Sequence, residues 1–333
     1  ATQSSTRSST DPDAESSEPT TSAPLAPPGT TGGAETVDTG TIDAAGSDTD
    51  TIVVESLVGD LELPSDPRRV VVLDASMVVG TLLDLGVPVV GMLDERPATL
   101  SPDESANIDE VGNLVEPRLE TIARLEPDLI MATIIDRGLY DVLSDIAPTY
   151  PVDITNDWRR DVREVAAAVN QADEIERLFA DFDERVAEVS SVVGADDPGT
   201  NGVLVRITTD LLRAHTNLHF SGNLLGEVGI DPPAFLQREN TGDPDIDGRA
   251  RSEFLSPERL DELAPADVSF LTAPGDDEQS GLEIVTDNPI WSTLPAVQAG
   301  RVAEVGQHWT YGGIREALLV LDDIESALTD AAT

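Results

Sequence analysis

Between Asp157 and Val193, apolar residues recur every three or four positions, from Val162, Val165, Ala166, Val169 and Ala172 through Ile175, Leu178, Phe179, Phe182, Val186 and Val189. No proline or glycine interrupts the run. Side chains three and four apart share one face of a helix, so the spacing predicts a single amphipathic helix. Some 35 residues at 1.5 Å each span about 50 Å. A small domain cannot bury a rod of that length, so folded material is required at both ends. The flanks supply it. Upstream, Ile52 to Val54 and Leu61 to Leu63 around Val58-Gly59-Asp60 read as a hairpin, followed by a strand at Val70–Leu73, a helix at Met77–Leu85 and a strand at Val87–Val90. A helix after Glu116-Pro117 and a strand over Asp128–Ala132 follow. Downstream of Gly194–Gly202 the alternation resumes, from Val203–Ile207 through Gly222–Val228, Val268–Leu271 and Val302–Val305 to a last helix at Ile314–Leu328. Short β-branched strands alternating with helices imply parallel βα units. The expected fold class is α/β: a lobe over 51–157, a linking helix over 158–194 and a second lobe over 195–333.

Residues 1–50 are different. Twenty-nine of them are Ser, Thr, Pro or Gly and none is aromatic, so the segment cannot bury enough apolar surface to offset its ordering entropy. It reads as a disordered acidic tether, either a stalk, open to O-glycosylation, or a tail without a holding role. Composition narrows function further. There is no cysteine, which removes disulfides, thiol nucleophiles, iron–sulfur clusters and thiolate zinc sites. All 20 basic residues are arginine against 64 acids, a net charge of −44. A surface so negative repels nucleic acid and anionic lipid, leaving small molecules or basic protein patches as partners.

Several strings then carry a resemblance. Asp66-Pro67-Arg68-Arg69 before Leu83–Gly91, Val111-Gly112 before Glu116–Ile122, Leu125–Ile130 and Ile146–Thr149 resemble, in order, the first half of class III ABC-importer substrate-binding proteins of the iron-siderophore and cobalamin type. Phe220-Ser221-Gly222, Gly226–Gly229, Leu255–Glu258, Asp287–Trp291 and Trp309–Gly312 look like the second half. The resemblance runs from Thr51 to Leu328. It implies two Rossmann-like lobes with parallel sheets and a ligand cleft between them, whose helical link resists wide closure. It implies capture of a ferric siderophore outside the cell for delivery to an ABC permease dimer through both lobes, with cobalamin or haem as the alternative ligand. It implies no catalysis and no cofactor, iron entering only within the bound chelate. It also implies a monomer at the cell surface, extracellular and lipid-anchored through a residue upstream of Ala1.

Candidate ligand-binding residues follow from where the strands end, since α/β ligands sit in the loops beyond them. Trp309 and Tyr311 fall between Val305 and the last helix, and their W-x-Y-G string resembles one lining the cleft of hydroxamate-siderophore binders. Trp158 either faces the cleft or staples the helix start. Arg137, Arg206 and Arg213 follow strands, and Arg251 lies in the irregular stretch Gln237–Ser252. Arginine forks suit anionic chelates, with surface ion pairs as the competing explanation in so acidic a chain. Hydroxamate binders often place an arginine just before the Glu-Pro, where this chain has Leu114 and Val115, so the resemblance does not fix the ligand. His215 and His219 are four apart in a strand-and-turn region, where a helical chelate cannot form, and no metal site is expected. Glu120 and Glu258 open helices in opposite lobes. Helix dipoles alone explain acids there, and the resemblance adds transporter docking.

Other classes find less support. No G-x-G-x-x-G or P-loop string exists, and no Asp-x-Asp string, Asp11-Pro12-Asp13, Asp48-Thr49-Asp50 and Asp245-Ile246-Asp247 being among the formal matches, falls in a suitable βα turn, which weighs against a two-lobed glycosyltransferase. A surface adhesin or sensor remains open on sequence alone. The charge generates a prediction that holds for any of these. Residues 51–333 carry 55 acids against 19 arginines, a net −36, a composition resembling that of haloarchaeal proteins. Self-repulsion acts over about 3 Å in 1 M salt but about 10 Å in 0.1 M. Dilution from molar to about 0.1 M KCl is expected to lower the melting temperature sharply or unfold the domain; an unchanged melting curve would refute the reading.

Overall fold

The computed structural model describes residues 50–133, 137–155, 157–196, 199–208, 211–273, 282–283, 285–310 and 312–330. The tether up to residue 49, the Thr209-Asp210 turn and Tyr311 lie outside them. The chain opens on an antiparallel hairpin, β1 (Thr51–Val54) and β2 (Leu61–Pro64). The N-terminal lobe then forms a five-stranded parallel sheet from β3 (Val70–Leu73), β4 (Val89–Met92), β5 (Asp109–Glu110), β6 (Leu129–Thr133) and β7 (Thr149–Val152), in the order β5-β4-β3-β6-β7. All four residues of the central Val-Val-Val-Leu strand are buried, as expected of a parallel strand covered on both faces. Helices α1 (Val78–Asp84), α2 (Pro102–Ser105), α3 (Leu119–Arg124) and α4 (Arg137–Ser144) make the crossovers.

The second lobe has the order β10-β9-β8-β11-β12, built from β8 (Gly202–Ile207), β9 (Leu212–His215), β10 (Ser252–Leu255), β11 (Val268–Thr272) and β12 (Val302–Glu304). Here the sheet is mixed: β8, β11 and β12 are parallel, whereas β9 and β10 run antiparallel to their neighbours. The cause for β9 is length. Four residues separate Ile207 from Leu212, enough for a hairpin and too few for the crossover a parallel pair needs.

The link between lobes also differs from one continuous helix. It is two, α5 (Trp158–Ala168) and α6 (Ala172–Asp196). Asn170 sits in the left-handed region at φ +58°; its amide donates to Ala167 O at 3.1 Å and the Gln171 amide to Ala166 O at 2.8 Å. This is the paired hydrogen bonding of a Schellman stop, and asparagine tolerates the conformation better than most side chains. Asp173 and Glu174 then occupy the first turn of α6, where acids favour the helix dipole. Val169 and Ala172 keep the three-residue apolar spacing across the break, which is why periodicity alone runs through it. At 25 residues α6 is about 37 Å long. Among the described residues no helix is long and apolar enough to cross a membrane.

One core joins the lobes. Val70, Val72 and Met131 of the first sheet belong to the same buried cluster as Leu204 and Phe270 of the second, through α5, α6, α7 (Phe220–Glu227) and α9 (Ile314–Asp330); α8 (Pro244–Arg249) lies outside it. Trp158 is at its centre, edge-on to Phe182 at 5.5 Å and to Phe220 at 5.6 Å, and tilted on Phe179 at 5.7 Å. The Arg159 guanidinium lies 4.9 Å from the Phe182 ring and 5.2 Å from Phe179, gripping Glu227 of α7 and Asp183 of α6, each at 2.7 Å. On the far side Arg315 of α9 reaches Glu104 at 2.7 Å and Asp84 of α1 at 3.1 Å, and Glu316 accepts from Thr99 Oγ1 at 2.6 Å. Removing the Arg159 guanidinium would strand two carboxylates beside aromatic rings. Because the side chain is a fifth exposed, Arg159→Ala is expected to cost about 2 kcal/mol, below the range for fully buried pairs. Urea unfolding in molar KCl measures it, and a loss under about 0.5 kcal/mol would contradict the clamp.

Candidate ligand-binding cleft

The lobes leave a cavity of about 650 Å³ between them, within the range of small-molecule sites. The N-terminal wall is made by the ends of β3 and β6, the segment after β7 and the first turns of α5. Asp74 follows β3. Its carboxylate accepts from the amides of Ser76, Met77 and Val78 at 2.9, 3.1 and 3.3 Å and from Thr133 Oγ1 at 2.7 Å. It therefore holds the turn that leads into α1, and its charge is spent within its own lobe. Asp161, also buried, accepts from the Thr155 amide at 2.8 Å and hydroxyl at 2.5 Å. Burial raises its pKa to about 6 against those hydrogen bonds. Trp158 lines the cavity, and its indole Nε1 has no hydrogen-bond partner among the described residues.

The C-terminal wall is basic. Arg206 ends β8, Arg213 lies on β9, Arg249 closes α8 and Arg251 precedes β10, and all four line the cavity. The β8–β9 hairpin sets Arg206 and Arg213 directly opposite each other. Arg213 also lies 5.1 Å from the half-exposed Phe254 ring, and Arg251 donates from Nη2 to the Thr155 carbonyl at 2.6 Å, a bridge to the opposite lobe. Burial lowers the Arg251 pKa, with Asp161 opposing.

Two histidines join this wall, Nδ1 to Nδ1 at 2.8 Å. His219 is the N-cap of α7: its Nδ1 accepts from the Ser221 amide at 3.3 Å. The shared contact then requires His215 to donate from Nδ1 and leaves the His219 ring, an acceptor at Nδ1, neutral. Burial, reinforced by Arg206 and Arg213, holds His215 at about 3; burial and His215 push His219 well below its ordinary value. Ser221 Oγ is 2.9 Å from His219 Nδ1, a spacing seen in nucleophile–base pairs. Here the serine is fully buried and the histidine nitrogen is already committed to capping, so the pair is structural. Among the described residues no three metal-ligating side chains converge.

The structure separates the sequence candidates. Trp158, Arg206, Arg213 and Arg251 meet at the cavity. Trp309 does not: it is fully buried, stacked on Phe270 at 4.3 Å, and donates from Nε1 to Asp323 of α9 at 2.8 Å. His308 meets the same carboxylate at 2.8 Å, so the two clip their loop to the last helix. Thr310 and Gly312 face the cavity instead, and a side chain at Gly312 would collide with Phe220. Arg137 opens α4, exposed and away from the cavity lining. Glu120 and Glu258 are exposed in the first turns of α3 and of the 3-10 helix Pro257–Leu263, one on each lobe. Arg249 escaped the sequence reading. The signal was its place two residues before Arg251 at the end of the Gln237–Ser252 stretch.

The comparisons agree with this geometry. Residues 70–308 match the family described as periplasmic binding protein. The Bacillus subtilis protein named "Probable siderophore-binding lipoprotein YfiY" is 30% identical over 279 residues, covering 79% of this chain and 83% of its own. The Fe(3+)-citrate-binding protein YfmC of the same organism is 27% identical over 288 residues, covering 83% and 85%. Among solved structures, Staphylococcus aureus SirA complexed with staphyloferrin B superposes with a TM-score of 0.69 at 24% identity, over 84% of this chain and 99% of that one. The match spans both lobes and the helices between them, and the chain belongs to the periplasmic binding protein family.

Proposed function

We propose that the chain is an extracytoplasmic solute-binding protein that captures a ferric siderophore in the interlobe cleft and delivers it to an ABC importer. The observation that carries this is the basic C-terminal wall, four arginines facing one cavity in a chain of net charge −44, together with family membership. The relatives named for siderophore and ferric citrate binding support the ligand class. Names that include lipoprotein support a lipid anchor at the outer face of the membrane, with residues 1–50 as a stalk. The clamp of α5, α6 and α9 suits a monomer that closes little around its ligand.

A ferric chelate absorbs in the near ultraviolet and visible, so it quenches a tryptophan beside it. Trp158 lines the cleft, while Trp309 and Trp291 are buried in the C-terminal lobe away from it. Titration with ferric siderophores in molar KCl is expected to give saturable quenching at micromolar concentration or below, about −8 kcal/mol. Most of the amplitude should vanish in Trp158→Phe and survive in Trp309→Phe. Binding of cobalamin or haem with no response to any ferric siderophore would overturn the ligand assignment.

Delivery requires contact with a permease through both lobes. Exposed carboxylates on opposite lobes, Glu120 and Glu258, suit basic pockets on such a partner. Replacing both with Ala is expected to leave chelate affinity within a few fold while abolishing permease association in a pull-down and uptake in vesicles. Undiminished association would remove these residues from the interface.

A further inference from the structure

Outside the cleft most of the described arginines are paired with a carboxylate, Arg69, Arg124, Arg137 and Arg301 being the exceptions. Arg159 and Arg315 each hold two carboxylates and Arg185 three, as the threefold excess of acids makes easy. Arg206, Arg213 and Arg249 have no carboxylate at ion-pair distance among the described residues, although they share one cavity. The carboxylates on the facing wall do not serve them. Asp74 is committed to the amides of the turn leading into α1 and Asp161 to Thr155. Like charges opposite each other across a strand pair destabilise a sheet, yet the register places Arg206 against Arg213. Two buried donors at the same cavity also lack acceptors, Arg206 Nε and Trp158 Nε1, and Trp158 is only 5% exposed. Unmade hydrogen bonds of buried donors cost free energy until an acceptor arrives. A cluster of uncompensated cations with idle N–H groups is complementary to a ligand that brings negative charge and oxygen acceptors together.

Resting on the ferric-siderophore reading, we propose that the cleft selects chelates of net negative charge. Peripheral carboxylate or catecholate oxygens dock on Arg206, Arg213, Arg249 and the Trp158 indole N–H, and cationic hydroxamate chelates are excluded. A cation entering here would meet uncompensated guanidinium groups and leave both idle donors unmet.

Calorimetric titration of the whole chain in molar KCl, with ferric citrate, a ferric tris-catecholate and ferrioxamine B as probes, tests this. At least one anionic chelate is expected to bind at least a hundredfold more tightly than the cationic ferrioxamine B, and the two anionic arms identify which oxygen class the site prefers. Arg206→Gln and Arg249→Gln are expected to weaken that anionic chelate at least tenfold while leaving the melting temperature of the unliganded protein unchanged or higher. Trp158→Phe, which keeps the ring and removes the donor, should weaken it several fold. Ferrioxamine B binding as tightly as the anionic chelates would overturn the charge selection and leave the siderophore reading intact. Failure of all three probes would overturn that reading too. A lowered melting temperature with undiminished affinity in the arginine variants would make these side chains structural and end the proposal.

Discussion

Everything in this molecule hangs on the contact between Trp158, Arg159 and the helices they bridge. Trp158 begins α5 and meets Phe179 and Phe182 of α6 on one side and Phe220 of α7 on the other. Arg159 covers the Trp158, Phe179 and Phe182 rings and ties α6 to α7 through Asp183 and Glu227. The lobes thus share one apolar core rather than meeting across a wet hinge. Packed cores have few alternative arrangements, so the cleft is largely preformed, and the residue that fixes the lobes also forms part of the ligand wall.

The same side chain explains why the cleft is placed where it is. Arg315 and Glu316 secure the lobes on the α1–α9 side, while Arg251 reaches Thr155 across the open side. Between these supports, the strand ends of both sheets converge, the position where open α/β sheets gather ligands. The mixed second sheet contributes directly: its hairpin returns Arg213 beside Arg206 on one face, a juxtaposition that a parallel crossover would have dispersed.

Charge is distributed with equal consequence. In a chain so rich in carboxylates, most of the described arginines outside the cleft are paired, and Arg159, Arg185 and Arg315 illustrate it. The cleft departs from that pattern because its two facing aspartates are held by backbone amides and hydroxyl groups of their own lobe. Positive potential survives there for a local reason, the geometry of α1 and of the Thr155 turn, against the sign of the whole protein.

Reading the residues alone fixed the strands β3, β6, β8 and β11, whose continuous apolar runs have no other reading at that length, and the amphipathic faces of α6 and α9. It also put Arg206 and Arg213 at the expected cleft edge, because strand ends mark it, and left Trp158 between the cleft and a staple on the helix start. Periodicity, however, reports which face is buried and not what lies against it. The stop at Asn170 was invisible because Val169 and Ala172 keep the apolar spacing. Trp309 carried a cleft-like motif, yet a carboxylate fourteen residues later, Asp323, gave its N–H a partner inside the core. Trp158, equally aromatic and nearly as buried, was left with a free N–H at the cavity. No local pattern distinguishes those two indoles. Only the folded chain decides which donor finds an acceptor, since the acceptor comes from a separate element whose position is set by packing.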